Sequence, residues 1–369
     1  MPDSSPPISI LFINVGEDAT TPVHQLFLPP LKEGDHSSFC AGFPIPANTQ
    51  IPNGIPTFTG RGSFSSFYSA FAKAAESRRF DIIQLHSTHA AFVYAAYRIL
   101  HPLTRLGPAV LTIHTSYPNL RILHILLLLS SLPWLSRVVY CGSAARASFP
   151  NWLRAFIGQR GRTIVNGCAL ETIARVRDSL VLPQNHDFTI FTACRLIPLK
   201  NIDGLVKAFA KSGIAATARL IVFGEGTHRC VIENSARISG IADRISLPGA
   251  KSRSAVYKAM ATSSIFVSLS RIEGMPKAVI EAMACEKPVV LSNILPHREI
   301  VKGIEHLIAL VPPDDISAAA EAIRRLYDMS ANERAQIGKR CRAHIEAKFT
   351  SQRMRKEYRK LYDELRVPA

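Results

Sequence analysis

The sequence contains no Cys-x-x-Cys pair. Its seven cysteines, at 40, 141, 168, 194, 230, 285 and 341, are odd in number and scattered. That argues against a disulfide framework or a zinc site and for a reducing cytosol. The opening MPDSSPP lacks the basic start of a signal peptide, and the apolar ISILFINV behind it is only long enough for a strand, so the expected location is cytoplasmic. No apolar run reaches the ~20 residues of a bilayer span. The longest, LRILHILLLLSSLPWL over residues 120–135, is broken by Arg121, His124 and Pro133. It is expected to be a helix buried between a sheet and solvent, with a monotopic patch resting on a membrane as the alternative. Short-period repeats and low-complexity tracts are missing as well.

Acidic residues are few for the length: 28 against 44 basic ones in 369 residues, a formal charge of +16. Up to residue 166 there are 13 basic and 7 acidic side chains, and 31 and 21 after it, so both halves are basic. Such an excess attracts nucleic acid, anionic lipid or phosphorylated small molecules. Without an aromatic RNA platform or a recognition motif, nucleic acid is not expected as a partner. Apolar residues make up 47% and charged ones 20%, ordinary globular usage, and the length favours two domains.

Short apolar, β-branched runs alternate with amphipathic stretches, the pattern of parallel strands joined by covering helices. The strands are expected at residues 8–15, 81–85, 109–114, 137–141 and 162–165, then at 188–193, 219–224, 244–247, 264–269, 288–292 and 307–311. Helices are expected over 63–77, 90–100, 202–212, 254–261, 278–285 and 316–327. The fold class is therefore α/β, two doubly wound lobes, divided as 1–166 and 167–349. The polar VNGCALET near Asn166 serves as hinge, and residues 42–62, rich in Pro and Gly, form a long loop. The tail TSQRMRKEYRKLYDEL, within 350–369, reads as a helix crossing back to the first lobe, with Arg353, Arg355, Lys356, Arg359 and Lys360 over much of its surface.

Two stretches carry candidate chemistry. In EGMPKAVIEAMACEKPVV, Pro276 suits a first helical position, and the amides of Met275, Lys277 and Ala278 at the helix start suit an anion. Glu273 and Gly274 lie in the loop before it. Glu281 falls among Ala278, Val279, Ile280, Ala282, Met283 and Ala284, where a carboxylate needs compensating hydrogen bonds. A ligand diol would supply them, and an exposed Lys277–Glu281 pair is the bland alternative. In CRLIPLKNIDGLVKAFA, Arg195 and Lys200 share a strand-to-helix loop, a planar fork and a point charge suited to a diphosphate.

The segments TACRLIPLKNIDGLVKAF, LIVFGEGTHR and SLSRIEGMPKAVIEAMACEKPVVLSNILPHREIV resemble, in order, the C-terminal half of GT-B glycosyltransferases of the large retaining family 4. Its signature is two glutamates separated by seven residues, here Glu273 and Glu281. FDIIQLHSTHA and VLTIHTS resemble strands of the family's first half more loosely. The resemblance implies two Rossmann-like lobes facing each other across a cleft, the first binding acceptor and the second a nucleotide sugar. It implies that Arg195 and Lys200 hold the donor diphosphate, Glu281 the ribose hydroxyls, and Glu273, Gly274 and the amides of Met275, Lys277 and Ala278 the transferred sugar. His114 matches the family's strand-end histidine near the sugar, which makes Glu273, His114, Arg195 and Lys200 the catalytic set. Gly16 is alone in a first loop, VGEDATTPVHQ, that is usually glycine-rich and close to the donor. Thr115 stands where Asp is frequent, and Cys285, Glu286 and Lys287 replace a Gly-bearing turn.

No Asp-x-Asp triplet occurs, so neither a catalytic metal nor another cofactor is expected. The implied activity is retaining transfer of a hexose from a nucleoside diphosphate to a hydroxyl of a glycan. The acceptor is expected to be lipid-linked, in cell-surface polysaccharide or glycolipid synthesis, with an anionic membrane surface on the inner face of the cell membrane as a further partner. A sugar-nucleotide epimerase of the same architecture and a nucleotide-sugar-binding protein with weak turnover are the alternatives.

Overall fold

The computed structural model describes residues 6–15, 34–45, 51, 54–180 and 187–366. The chain forms two compact units, Met1–Val165 with Gln352–Ala369, and Asn166–Ser351.

The first unit contains β1 (Ser9–Asn14), β2 (His36–Ala41), β3 (Thr57–Thr59), α1 (Phe64–Ser77), β4 (Ile82–Leu85), α2 (Thr88–Leu100), β5 (Ala109–Ile113), α3 (Ile122–Ser131), β6 (Arg137–Tyr140), α4 (Ser143–Ala147), α5 (Asn151–Ile157) and β7 (Gly161–Thr163). Its strands pair in parallel in the order β3-β2-β1-β4-β5-β6-β7. The runs SILFIN, AVLTI and RVVY are apolar almost throughout because both faces of a parallel sheet are covered. On one face, Leu11, Ile83, Leu85 and Leu111 pack with Phe71 of α1, Tyr94 of α2, Leu128 of α3 and Leu153 of α5.

The second unit contains α6 (Leu170–Asp178), β8 (Phe188–Ala193), α7 (Ile202–Lys211), β9 (Ala218–Phe223), α8 (Arg229–Ile238), β10 (Ile245–Ser246), α9 (Arg253–Thr262), β11 (Ile265–Ser268), α10 (Lys277–Ala284), β12 (Val289–Ser292), α11 (Leu295–Val301), β13 (Ala309–Val311), α12 (Ile316–Asp328) and α13 (Ala331–Lys348). Its sheet, also parallel, runs β10-β9-β8-β11-β12-β13. The last helix, α14 (Ser351–Leu365), covers the other face of the first sheet, where Met354, Tyr358, Leu361 and Tyr362 meet Ile10, Phe12, Val110 and Val139. Tyr358 Oη lies 2.9 Å from Thr112 Oγ1, and Tyr362 donates to Gln84 Oε1 at 2.7 Å. The two passages of the chain between units lie side by side: Cys168 and Thr350 form a parallel bridge, and Ser351 N donates to Cys168 O at 2.9 Å.

Several expectations need correction. The 42–62 stretch is not all loop, since it contains β3, and β2 precedes it. HSSFCA carries too few branched residues to read as a strand and takes its place by pairing with β1. Helices at 143–157, 170–178, 229–238, 295–301 and 331–348 were also missing from the expected elements. Arg359 is not on the surface of its helix. It is buried and donates to Asp35 Oδ1 at 2.8 Å, so its charge is compensated inside the unit. The 120–135 segment is not a buried helix: of α3 only Leu128 and Ser131 are buried.

Candidate active site

In an open parallel sheet, ligands bind outside the carboxyl ends of the strands where the order reverses. In the second unit that point lies between β8 and β11, because the chain proceeds outward to β9 from one and to β12 from the other. The loops leaving these two strands carry the candidate residues.

The β8 loop is pressed against the loop after β9. Leu196 N donates to Glu225 O at 2.8 Å, and His228 N to Leu196 O at 2.9 Å. Gly224 and Gly226 both have positive φ, and a Cβ on either would lie 1.8 Å from Cys194 O or 2.2 Å from Leu196 O. The GEG sequence therefore exists for backbone against backbone. A 3-10 turn, Pro198–Lys200, follows, and Asn201 then takes the left-handed conformation that starts α7, its Nδ2 donating to Pro313 O at 2.6 Å. Arg195 is exposed, and no ion pair holds its guanidinium among the described residues. Lys200 instead reaches across the switch point to the β11 loop, with Nζ 2.5 Å from Glu273 Oε1 and both side chains largely buried. Arg271 stitches the same two loops together. Its N donates to Leu199 O at 2.9 Å, its Nη1 to Pro198 O at 2.6 Å, and its Nε to Asp314 Oδ1 at 2.8 Å.

After Glu273, Gly274, Met275 and Pro276 are buried, and α10 starts at Lys277 with Pro276 as its N-cap rather than inside the first turn. No side chain caps this start, so the amide of Ala278 faces outward with the positive end of the helix dipole. Gly16 lies outside the described residues.

Glu281 is 4% exposed, and it has a partner the sequence reading did not supply. The Arg253 guanidinium of α9 ion-pairs with its Oε1, and Tyr257 Oη donates to the same oxygen at 3.3 Å. Arg253 also stacks over the Tyr257 ring, 5.0 Å from its centroid, and burial pushes the tyrosine's pKa up. The Lys277–Glu281 pair is not the one that forms. Burial of this carboxylate therefore does not by itself demand a ligand; its Oε2, however, is buried with no hydrogen-bond partner among the described residues.

His297 of α11 joins the site through tertiary packing. It is fully buried, and its Nδ1 lies 2.8 Å from Ser292 O and 3.0 Å from Ser292 Oγ, which itself donates to Ser270 O at 2.5 Å. A carbonyl oxygen only accepts, so Nδ1 carries the proton, and the chain His297–Ser292–Ser270 braces the start of the Glu273 loop. Burial pulls the His297 pKa down to about 4, opposed by the charge of Glu273. The unfolded chain then takes up a proton near pH 6.5 that the folded one refuses until about pH 4. The stabilisation by neutral His297 is thus complete above pH 6.5 and decays as pH falls through that window, by about 3 kcal/mol in all. Urea unfolding at pH 7 and pH 4.5 should show this loss in the wild type and a smaller one in His297→Asn, which keeps the donor to Ser292 O. Equal losses would remove the assignment.

In the first unit, His114 follows β5 and its Nε2 lies 3.0 Å from Nδ1 of His86, which follows β4 at that sheet's own switch point between β1 and β4. His86 stacks on Phe12, and its backbone N–H donates to Ile13 O at 2.9 Å. One ring must donate to the other, so the tautomers of His86 and His114 are coupled. The signal of His86 was present in FDIIQLH, a histidine ending a buried strand.

Residues 176–344 match the family Glycosyl transferases group 1. An exopolysaccharide phosphotransferase of Streptomyces coelicolor is 32% identical over 181 residues, 48% of this chain and 19% of that protein. The N-acetyl-alpha-D-glucosaminyl L-malate synthase of Bacillus anthracis is 27% identical over 164 residues, 44% of this chain and 42% of that one. The chain thus spans less than half of the length of these curated relatives. Among solved structures, Anabaena HepE in complex with UDP-glucose superposes with a TM-score of 0.78 at 18% identity, over 97% of this chain and 100% of that one. At that identity the likeness carries the fold, GT-B with its two α/β units.

Proposed function

From the premise that the second unit carries a glycosyl transferases group 1 domain, we propose that the protein is a retaining, metal-independent glycosyltransferase. It moves a hexose from a nucleoside-diphosphate sugar to a hydroxyl of a lipid-linked glycan, in polysaccharide or glycolipid synthesis at the cytoplasmic face of the membrane. The second unit binds donor and the first binds acceptor. The observation that carries the reading is the Lys200–Glu273 pair astride the β8/β11 switch point. A cation and a carboxylate side by side suit a ligand that is anionic at one end and hydroxylated at the other. The complex of HepE with UDP-glucose and the match to the Bacillus N-acetyl-alpha-D-glucosaminyl L-malate synthase support such a donor.

In this reading Arg195 and Lys200 hold the diphosphate and stabilise the charge that grows on it as the glycosidic bond breaks. Glu273, Gly274 and the amides of Met275, Lys277 and Ala278 fix the sugar, Glu281 takes the ribose hydroxyls through Oε2, and His114, hydrogen-bonded to His86, completes the catalytic set that the resemblance implies. The acceptor oxygen bonds to the anomeric carbon on the face that the phosphate leaves, and its proton passes to the departing phosphate oxygen. No carboxylate nucleophile is required, and catalysis is positioning plus charge stabilisation.

A panel of UDP-, GDP- and ADP-sugars tests the reading by thermal stabilisation. One base should stabilise the protein by roughly 3 kcal/mol at a hundredfold excess over its Kd, and the matching sugar nucleotide should release nucleoside diphosphate with the product's anomeric configuration retained. No stabilisation by any of them contradicts the donor site; an isomerised sugar nucleotide in place of transfer identifies an epimerase.

A further inference from the structure

The stretch of the first unit from β4 to β7 has a composition unlike the rest of the chain. Between Asp81 and Glu171 the sequence holds eight arginines, at 98, 105, 121, 137, 146, 154, 160 and 162, with no lysine and no carboxylate at all. None of these arginines has a carboxylate partner among the described residues. The same segment supplies most of the unit's exposed apolar side chains. On α3, Ile122, Leu123 and Leu126 are 78%, 57% and 57% exposed. They share one helical face, and the buried Leu128 and Ser131 lie on the opposite one. Nothing in the described structure covers that face.

The surface is continuous with its neighbours. α2 packs beside α3, with the His89 and His124 rings in edge contact at 5.3 Å. Arg160 joins the 132–134 turn to α5, donating to Leu132 O at 2.7 Å and to Phe156 O at 3.3 Å. Trp134, Trp152 and Phe156 therefore extend the apolar patch, and the chain's two tryptophans both belong to it. Exposed Arg121 precedes α3, exposed Arg105 follows the 95% exposed Leu103, and Arg154 lies between Trp152 and Phe156.

We propose that this face docks on an anionic lipid bilayer, with Ile122, Leu123 and Leu126 of α3 entering the headgroup boundary and the arginines around it taking lipid phosphates. Aliphatic side chains, tryptophans and arginines free of acids are what such a surface selects: the apolar face seeks the acyl boundary, indoles settle at headgroup depth, and guanidinium groups bind phosphate bidentately. A protein partner of ordinary composition would meet arginines with carboxylates of its own, but it would leave the wide aliphatic helix face without a reason to be this uniform. The inference deepens the lipid-linked acceptor reading by giving the face that approaches the membrane, and it fails separately from that reading. Donor binding, measured without vesicles, does not involve it.

The test uses the full chain and its own two tryptophans. With phosphatidylglycerol vesicles at low salt, the indole emission should shift to the blue, brominated lipid should quench it, and the protein should sediment with the vesicles. High salt should release it, and phosphatidylcholine vesicles should bind at least about tenfold more weakly. The exposed triple variant Ile122→Ser/Leu123→Ser/Leu126→Ser should keep its melting temperature and lose at least about tenfold in partitioning, and Arg105→Gln/Arg121→Gln should flatten the salt dependence. No binding to phosphatidylglycerol at low salt overturns the proposal, and so does equal binding by wild type and triple variant. A stable dimer in light scattering that the triple Ser variant dissociates also overturns it, since a second copy then occupies the face.

Discussion

Replacing Lys200 by Ala should lower the rate of sugar transfer by about 10²–10³-fold, the usual effect of removing one preorganised charge from the position where anionic charge develops. The reason is geometric. Lys200 lies at the carboxyl end of β8, held by the 3-10 turn before it and the left-handed Asn201 after it, and its ammonium is 2.5 Å from Glu273 across the switch point. In the proposed donor site, removing it would take away a cation that faces the departing phosphate and leave the Glu273 carboxylate in a recessed place without its partner, where it would repel the diphosphate. Two effects therefore act in the same direction. Arg195→Ala, whose side chain is exposed and outside any described ion pair, should lose about tenfold, mainly in donor affinity. Circular dichroism and melting should show both variants folded, because neither residue belongs to the core. A Lys200→Ala enzyme with wild-type kcat/KM would show that the chemistry lies elsewhere.

The second large effect is on stability. Arg253→Leu should destabilise the second unit by about 3–5 kcal/mol, since breaking a buried ion pair from one side leaves the other charge uncompensated. In melting terms that is roughly 10 °C for a unit of this size. Glu281 is 4% exposed, and the hydroxyl of Tyr257, 3.3 Å away, cannot replace a guanidinium. The double variant Arg253→Leu/Glu281→Leu removes both charges and should recover most of the loss, because apolar replacement of a whole buried pair is often neutral. Its stability returns but its nucleotide affinity does not, if Oε2 of Glu281 holds the ribose. Recovery of both stability and wild-type nucleotide affinity would reduce Glu281 to a structural member of the pair and remove it from the donor site.

The second half of the fold was legible because parallel strands buried on both faces leave nearly unbroken apolar runs, and FTIFTA and IFVS are such runs. The β2 and β3 strands were not, since HSSFCA has no β-branched residue and TFT is only three residues long, and they become strands by pairing, β2 with β1 and β3 with β2. Lys200 and Glu273 could be found from a loop position and a spacing. Arg253, Arg271 and His297 could not, because each acts through a partner on another element, and helical or strand periodicity sees only neighbours on the same one. The exposure of α3 was hidden for the opposite reason. In ILHILLLLSS nearly every position is apolar, so no stripe distinguishes the inner face from the outer, and only the packing of α2 and the sheet shows which side is left uncovered.

The claim on which the rest depends is that the crevice between β8 and β11 binds the diphosphate of a sugar nucleotide through Lys200. Calorimetric titration of wild type and Lys200→Ala with the nucleoside diphosphate selected by the thermal panel tests it most directly. The expected result is saturable binding to the wild type and at least about tenfold weaker binding to the variant, as the loss of a charge-assisted contact of about 1.5–3 kcal/mol requires. Equal affinity for the two proteins would contradict it.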